Sequence, residues 1–273
     1  MNFVEALRAA DARRQAPLCV GLDPDPARLP GAWRDDPSRL FEFCARIVEA
    51  TADLVVAFKP QIAYFAAQRA EEQLERLIAH CRRVAPDVPV ILDAKRGDIG
   101  STAEQYAREA FVRYRADAVT ASPLMGFDSI EPYLRHGGRG VFLLCRTSNP
   151  GGDELQAERL ASGERLFERI ARLAAGAWNR NGQLGLVVGA TYPAEIERVR
   201  SLAPTLPLLV PGIGAQGGDA EAAMRAGWRP GAPVVVSTSR AVLYAGSDDD
   251  FASAARRAAR AAADSLLSAR PPA

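Results

Sequence analysis

Eight short apolar runs recur along the chain, and each is followed by a segment with helical periodicity. The runs lie at 18–22, 54–58, 88–92, 117–120, 140–145, 184–188, 206–210 and 233–236. Strands that are apolar along nearly their whole length are typical of a parallel sheet buried on both faces. Eight successive strand–helix units predict an α/β fold, a closed (β/α)₈ or TIM barrel. The alternative is a doubly wound open sheet.

The composition is that of a soluble globular protein, with 48% hydrophobic and 25% charged residues. No low-complexity linker divides the chain, so we expect one barrel domain over 1–273. The net charge of +1 gives no reason to expect nucleic acid or an anionic membrane as a partner. No apolar run approaches the roughly 18 residues of a membrane-spanning helix. Residues 1–15 are amphipathic and lack the apolar run of a signal peptide, and residues 3–14 should cover one end of the core.

The cysteine pattern favours a cytoplasmic protein. Cys19, Cys44, Cys81 and Cys145 are scattered through apolar surroundings without a Cys-x-x-Cys pair. They are expected to be reduced core residues rather than metal ligands or disulfide partners. With only two histidines in the chain, a zinc site is not expected.

Lysine is almost absent from the sequence. Of the 34 basic residues, only Lys59 and Lys95 are lysines. Both follow directly or closely on apolar runs. Lysine carries a compact ammonium group that can give up a proton near neutral pH, whereas arginine stays charged. This placement favours a chemical role over the chance survival of two lysines.

The third run leads into the stretch Asp-Ala-Lys-Arg-Gly-Asp-Ile-Gly-Ser-Thr at 93–102. Because residues two apart point to the same side of a strand, Asp93 and Lys95 should share a face. Ser101 or Thr102 should cap the helix that follows. Alternating charges at the end of a strand indicate a site, although a surface ion-pair cluster in a loop would give the same pattern.

Polar residues from distant parts of the sequence should meet at one rim of the barrel, because the sites of such barrels lie at the C-terminal ends of the strands. The residues expected there are Asp23, Lys59, Asp93 and Lys95 after the first three runs, Ser148 after the fifth, and Arg240 after the eighth.

A glycine-rich segment follows the seventh run and contains Gly-x-Gly-x-x-Gly at 212–217. A dinucleotide site would have this pattern in the first βαβ unit, with an acidic residue at the end of the next strand. Here the next strand ends beside Arg240. We therefore expect a phosphate held by backbone N–H groups and Arg240, the alternative being a glycine turn with an arginine on the surface.

Four segments, in matching order, resemble the orotidine 5′-phosphate decarboxylase family in its longer bacterial form. They are Asp-Ala-Lys-Arg-Gly-Asp-Ile at 93–99 with Thr102, Phe-Lys-Pro-Gln at 58–61, Ser-Asn-Pro-Gly at 148–151 and Pro-Gly-Ile-Gly-Ala-Gln-Gly-Gly at 211–218. The resemblance extends from about Leu18 to Arg240. It implies a carboxy-lyase that converts orotidine 5′-monophosphate to uridine 5′-monophosphate and CO₂, the last step of de novo pyrimidine synthesis, without a metal or organic cofactor.

The resemblance also implies roles for individual residues. Lys95 would donate a proton to C6 of the pyrimidine, Asp93 would lie beside the departing carboxylate, and Lys59 would contact the ribose. Asp98 and Thr102 would reach across the interface of a homodimer into the partner's site. The other substrate-binding residues would be Asp23 at the ribose, Ser148 at the pyrimidine edge, and Gln216 and Arg240 at the phosphate.

Three other functions remain open at this point. One is an aldolase-type barrel in which Lys59 or Lys95 forms a Schiff base with a sugar phosphate, although an imine-forming lysine needs a lowered pKa. Another is a metal-dependent barrel with the same Asp-x-Lys-x-x-Asp motif that acts on a hexulose phosphate. The third is a non-catalytic protein that binds uridine 5′-monophosphate without turnover.

Overall fold

The computed structural model describes residues 2–14, 16–212 and 219–271. Within them, eight strands form one parallel sheet: β1 (Leu18–Leu22), β2 (Ala57–Pro60), β3 (Ile91–Arg96), β4 (Ala118–Ala121), β5 (Gly140–Arg146), β6 (Leu184–Val188), β7 (Leu208–Pro211) and β8 (Val234–Thr238). The strand order is β2-β1-β8-β7-β6-β5-β4-β3. Parallel bridges from Phe58 to Val90 and from Gln61 to Asp93 join β2 to β3. The sheet therefore closes, the predicted barrel is confirmed, and the open sheet is wrong.

Helices connect the strands around the outside of the barrel. In the described residues they are α1 (Phe3–Arg14), α2 (Leu40–Thr51), α3 (Ile62–Ala66), α4 (Glu71–Val84), α5 (Gly100–Arg108), α6 (Glu131–Leu134), α7 (Asp153–Gln156), α8 (Leu166–Ala175), α9 (Pro193–Leu202), α10 (Ala220–Gly227), α11 (Arg240–Leu243) and α12 (Phe251–Ser268). A π-helical turn, Glu109–Arg113, continues α5. No helix in this part of the chain combines the length and the apolar character needed to cross a membrane.

The barrel interior changes from apolar to polar along its axis. One buried layer has an apolar residue from each strand: Cys19, Ala57, Ile91, Ala118, Phe142, Val187, Leu209 and Val235. Because side chains repeat every second residue along a strand, the next inward-facing layer is Gly21, Lys59, Asp93, Thr120, Leu144, Gly189, Pro211 and Ser237. Strand periodicity alone thus places the charged side chains at the C-terminal end of the barrel.

Helix α1 closes the opposite end, as expected for residues 3–14. Phe3 and Leu7 are buried against the apolar layer, and the Phe3 ring meets the Phe142 ring edge-on at a centroid distance of 5.7 Å. A Cβ atom at Gly140 would lie 2.2 Å from the Phe3 ring. Glycine at this position therefore allows the helix to approach the strand end.

Two strands are displaced from their predicted positions, toward the C-terminus. The ladder between β1 and β2 runs from Cys19–Ala57 to Leu22–Pro60, so Lys59 lies inside a strand rather than after it. Strand β3 likewise extends to Arg96. In both cases the sheet hydrogen bonding continues past the apolar run and includes the charged residues.

One helical prediction also needs correction. Helix α5 begins at Gly100 with Ile99 at the N-cap and without a capping side chain, so the predicted cap by Ser101 or Thr102 is wrong. Between β5 and β6 the chain forms two short helices, α7 and α8, and an antiparallel bridge between Arg159 and Arg165 lies between them.

Replacing Phe3 tests the closure of the barrel by α1. We expect Phe3→Ala to lower the free energy of unfolding by about 3 kcal/mol, because it leaves a cavity next to Phe142. Urea denaturation followed by circular dichroism measures this change. Leu267→Ala, at a 43% exposed position on α12, is the control and should change stability little. Equal losses in the two variants would contradict the role given to α1.

Candidate active site

A cavity of about 570 Å³ opens at the C-terminal ends of the strands. All eight strands, or the loops that follow them, contribute to its wall. Six of the nine residues predicted for the site lie in this wall: Asp23, Lys59, Asp93, Lys95, Ser148 and Arg240. The predicted convergence of these residues is therefore present in the structure.

Asp93 lies at the centre of the charged groups in this cavity. Its Oδ2 accepts a hydrogen bond from Lys59 Nζ at 2.8 Å, and its Oδ1 accepts one from Lys95 Nζ at 2.6 Å. Lys59 Nζ also lies 4.0 Å from Asp23 Oδ1. Lys59 and Asp93 are buried, whereas the side chain of Lys95 is 45% exposed. The array thus has two buried members and one ammonium group that borders the cavity.

The protonation states in this array are set by its own charges. Burial alone would raise the pKa of Asp93, but the ammonium groups of Lys59 and Lys95 hold that pKa well below its usual value. Burial would also lower the pKa of Lys59, yet Asp93 and Asp23 raise it well above the usual value for lysine. Asp93 therefore stays a carboxylate and Lys59 stays an ammonium at neutral pH.

The loop that carries Ser148 is attached to the barrel by Arg146. This arginine is fully buried at the end of β5 and forms ion pairs with Asp153 of α7 and Glu195 of α9. A Cβ atom at Gly189 would lie 2.7 Å from the backbone nitrogen of Ser148, so glycine at the end of β6 allows the loop to pack there. Ser148 consequently borders the cavity from a position that two ion pairs hold.

The phosphate side of the predicted site is described in part. Arg240 begins α11, borders the cavity and is exposed. A Cβ atom at Gly21 would lie 1.9 Å from Ser239 Oγ, so glycine in β1 allows this close approach of the chain before Arg240. Gly212 borders the cavity with a φ of +97°. Gln216 lies outside the described residues.

Asp98 and Thr102 are not among the residues that line the cavity of the single chain. Asp98 is half-buried and accepts a hydrogen bond from the backbone N–H of Ile99 at 2.8 Å, and Thr102 is exposed on α5. The single chain therefore brings together Lys59, Asp93 and Lys95 but not Asp98 and Thr102, which were predicted to act in the partner's site.

Sequence reasoning missed Thr120, which lines the cavity and donates a hydrogen bond to Asp93 Oδ1 at 2.8 Å. Strand periodicity could have found it, because Thr120 follows the apolar Ala118 by two residues, as Asp93 follows Ile91. The residues between 2 and 271 that the structure describes contain no cluster of three or more His, Cys, Asp or Glu side chains suited to a metal ion.

A (β/α)₈ barrel with a buried acid–base array at its strand ends has the architecture of an enzyme. Comparison with known proteins identifies the group. Residues 16–255 match the model of the Orotidine 5'-phosphate decarboxylase / HUMPS family, and the chain belongs to this family.

The similarity to individual relatives extends over nearly the whole chain. It is 70% identical to the orotidine 5'-phosphate decarboxylases of Polaromonas naphthalenivorans and Paracidovorax citrulli, over 99% of this chain and 97% and 100% of theirs. Among solved structures, the Leishmania donovani OMP decarboxylase is 40% identical with a TM-score of 0.86, covering 99% of both chains. The predicted family and its carboxy-lyase class are therefore confirmed.

The pKa of Asp93 leads to a pH-dependent prediction for stability. Because this pKa is lowered in the folded protein, the carboxylate stabilises the fold above the ordinary carboxyl pKa, and this contribution is lost as pH falls toward the lowered value. Asp93→Asn leaves Lys59 buried without its closest partner, and we expect it to lower the free energy of unfolding by about 3 kcal/mol at pH 7. The difference in the free energy of unfolding between Asp93→Asn and the parent should become smaller below about pH 4.

Urea denaturation at pH 7 and at acidic pH measures both effects. Asp53→Asn is the control, because Asp53 forms an ion pair with Arg256 but is 56% exposed on its side chain. The control should lose less than about 1 kcal/mol at pH 7. A loss for Asp93→Asn that does not depend on pH would contradict the assigned charge state.

Proposed function

We propose that this chain removes CO₂ from orotidine 5′-monophosphate to give uridine 5′-monophosphate, with Lys95 as the proton donor to C6. The observation that carries the proposal is the position of Asp93, a buried carboxylate between two ammonium groups in the wall of the cavity. The family membership and the 70% identity to proteins named orotidine 5'-phosphate decarboxylase support the same substrate and reaction.

The reaction requires a fixed positive charge near C6. When the bond between C6 and the carboxylate breaks, its electron pair stays on C6, and the pyrimidine offers no electron sink for a vinyl carbanion. An ammonium group held in position stabilises this charge more in the transition state than in the ground state. Lys95 then transfers a proton to C6, becomes a neutral amine and recovers a proton from solvent. Asp93 holds Lys95 by a 2.6 Å hydrogen bond.

The other cavity residues are assigned to the rest of the nucleotide. Asp93 lies beside the departing carboxylate, Lys59 and Asp23 bind the ribose, and Ser148 contacts the pyrimidine edge. Arg240 binds the phosphate together with Gln216. Since the phosphate is remote from C6, its binding energy can be used to hold the base in the reactive orientation.

The charge state of Lys59 argues against a Schiff base on this lysine. Imine formation needs a neutral amine, whose pKa is lowered by its surroundings. Burial alone would lower the pKa of Lys59, but the carboxylates of Asp93 and Asp23 raise this pKa overall. Lys59 is therefore better suited to hold Asp93 than to attack a carbonyl carbon.

We further propose a homodimer in which Asp98 and Thr102 complete the partner's site. Asp98 precedes Ile99, which is 52% exposed, and the exposed apolar side chains of Leu124 and Met125 follow the adjacent strand β4. A Cβ atom at Gly97 would lie 3.5 Å from Met125 Cε, so Met125 lies beside the stretch that carries Asp98 and Ile99. A second copy that buries these apolar side chains would bring its own Asp98 toward the array.

We also propose a cytoplasmic location and a single domain. The four cysteines are all free and buried, as is usual in a reducing compartment. One hydrophobic core cluster extends from Ala16 to Ala269, which supports the treatment of residues 1–273 as one barrel domain.

Ultraviolet absorbance of orotidine 5′-monophosphate with the purified protein in EDTA tests the reaction. The spectrum should change to that of uridine 5′-monophosphate. Lys95→Ala should decarboxylate more slowly by a factor of roughly 10² to 10⁴, because the proton donor and the cation near C6 are both lost.

Calorimetric binding of uridine 5′-monophosphate is the control for this variant, since a folded Lys95→Ala site should still bind the product. An unchanged spectrum with the folded parent would reject the decarboxylase. Near-parental turnover by Lys95→Ala would leave the reaction in place but remove Lys95 as the proton donor.

Mixed dimers test the shared site. Lys95→Ala and Asp98→Ala subunits are refolded together, so that each heterodimer contains one intact site. A statistical mixture should recover about a quarter of the parental activity. The matched control pairs Lys95→Ala with Asp93→Ala, and since both residues act within one chain, it should recover nothing. No recovery with Asp98→Ala would show that Asp98 acts within its own chain.

A further inference from the structure

Thr120 lies at an irregularity in the ladder between β3 and β4, where three residues of β3 stand opposite one residue of β4. The flanking ladder pairs are Leu92–Val119 and Arg96–Ala121. Between them, residues 93–95 of β3 face Thr120 alone. Strand β3 therefore bulges at the residues that form the charged array.

A bulge of this kind leaves backbone N–H groups without carbonyl partners in the ladder. Here the N–H groups of Ala94 and Lys95 both donate to Thr120 Oγ1, each at 3.0 Å. Lys95 has a φ of +48°, a left-handed conformation that side-chain-bearing residues rarely adopt and that costs free energy. The Thr120 hydroxyl thus accepts hydrogen bonds from the backbone N–H groups of the bulge. These bonds stabilise the backbone conformation that sets the direction of the Lys95 side chain.

The same hydroxyl also orients the carboxylate of Asp93. Thr120 Oγ1 donates its proton to Asp93 Oδ1 at 2.8 Å, the atom that accepts from Lys95 Nζ at 2.6 Å. A hydroxyl group has one proton to donate and two lone pairs, and this one uses all three. Thr120 is 1% exposed, so its hydroxyl makes these contacts within the protein rather than with bulk solvent.

We propose that Thr120 is a positioning residue for the proton transfer, fixing the Lys95 ammonium and the Asp93 carboxylate relative to each other through one oxygen atom. The inference rests on the proposed decarboxylation. Small displacements of a catalytic group raise the barrier of the chemical step, whereas the nucleotide is bound mainly by other residues. Loss of the hydroxyl should therefore lower kcat with little change in binding.

Thr120→Val, which replaces the hydroxyl by a methyl group of similar size, is the main test. We expect kcat to fall at least about tenfold, with KM and the dissociation constant of uridine 5′-monophosphate within about threefold of the parent. Thr120→Ser keeps the hydroxyl and should retain kcat within about threefold of the parent. Equal loss in both variants would overturn the proposal, since side-chain shape would then matter rather than the hydroxyl.

Thr51→Val is the matched control. Thr51 is fully buried in α2, and its hydroxyl donates to the backbone oxygen of Ile47 at 2.7 Å, outside the cavity. This variant should lose stability but keep kcat. If the parent protein is inactive, the proposed function itself is wrong. If the parent is active and Thr120→Val has an unchanged kcat, only the proposed role of Thr120 is wrong.

Two further measurements apply if Thr120→Val does not fold. Thr120→Cys offers a sulfur that is a weak donor and a weak acceptor, so its kcat should fall below that of Thr120→Ser, and equal values would overturn the proposal. Hydrogen–deuterium exchange of the peptide covering residues 91–96 should be faster in Thr120→Cys than in Thr120→Ser. Identical exchange in the two would likewise overturn it.

Discussion

The contact of the Asp93 carboxylate with two ammonium groups is the interaction on which the site depends. Removing any one of these charges from water is costly, and burial is tolerated here because each charge has a close partner of opposite sign. Lys59 lies behind Asp93 and keeps it ionised, while Asp93 holds Lys95 at the cavity. The ammonium group of Lys95, which borders the cavity, is therefore held in position by a neighbouring carboxylate.

The barrel supplies this arrangement through strand periodicity. The layer below the array is apolar, and α1 closes the far end with Phe3. Lys59 and Asp93 each stand two positions beyond an apolar residue on the same strand, so one strand repeat positions both the core and the buried charges. The close approaches at Gly21 and Gly189 then bring the chain segments before Arg240 and around Ser148 next to the cavity.

Most of the fold and the centre of the site could be predicted because they depend on local patterns. The eight apolar runs predicted the barrel, and the stretch at 93–102 predicted Asp93 and Lys95 as residues of the site. The position of Thr120 follows from strand periodicity, but its hydrogen bonds with the backbone of Ala94 and Lys95 could not be predicted, because they depend on the offset between β3 and β4. The burial of Arg146 between Asp153 and Glu195 depends on contacts between segments 7 and 49 residues away. Ser101 and Thr102 are not caps, because α5 begins at Gly100 and both residues lie inside the helix.

The scarcity of lysine has a consequence for covalent labelling. Lys59 is 4% exposed, and Lys95 is 45% exposed on its side chain, while every other basic residue is arginine. Lys95 is thus the single solvent-accessible side-chain amine of the molecule, at the mouth of the cavity. Guanidinium groups stay protonated at neutral pH and do not compete for acylating reagents. Among side chains, an amine-directed fluorophore would therefore label this protein at the cavity, and a ligand that fills the cavity would shield Lys95.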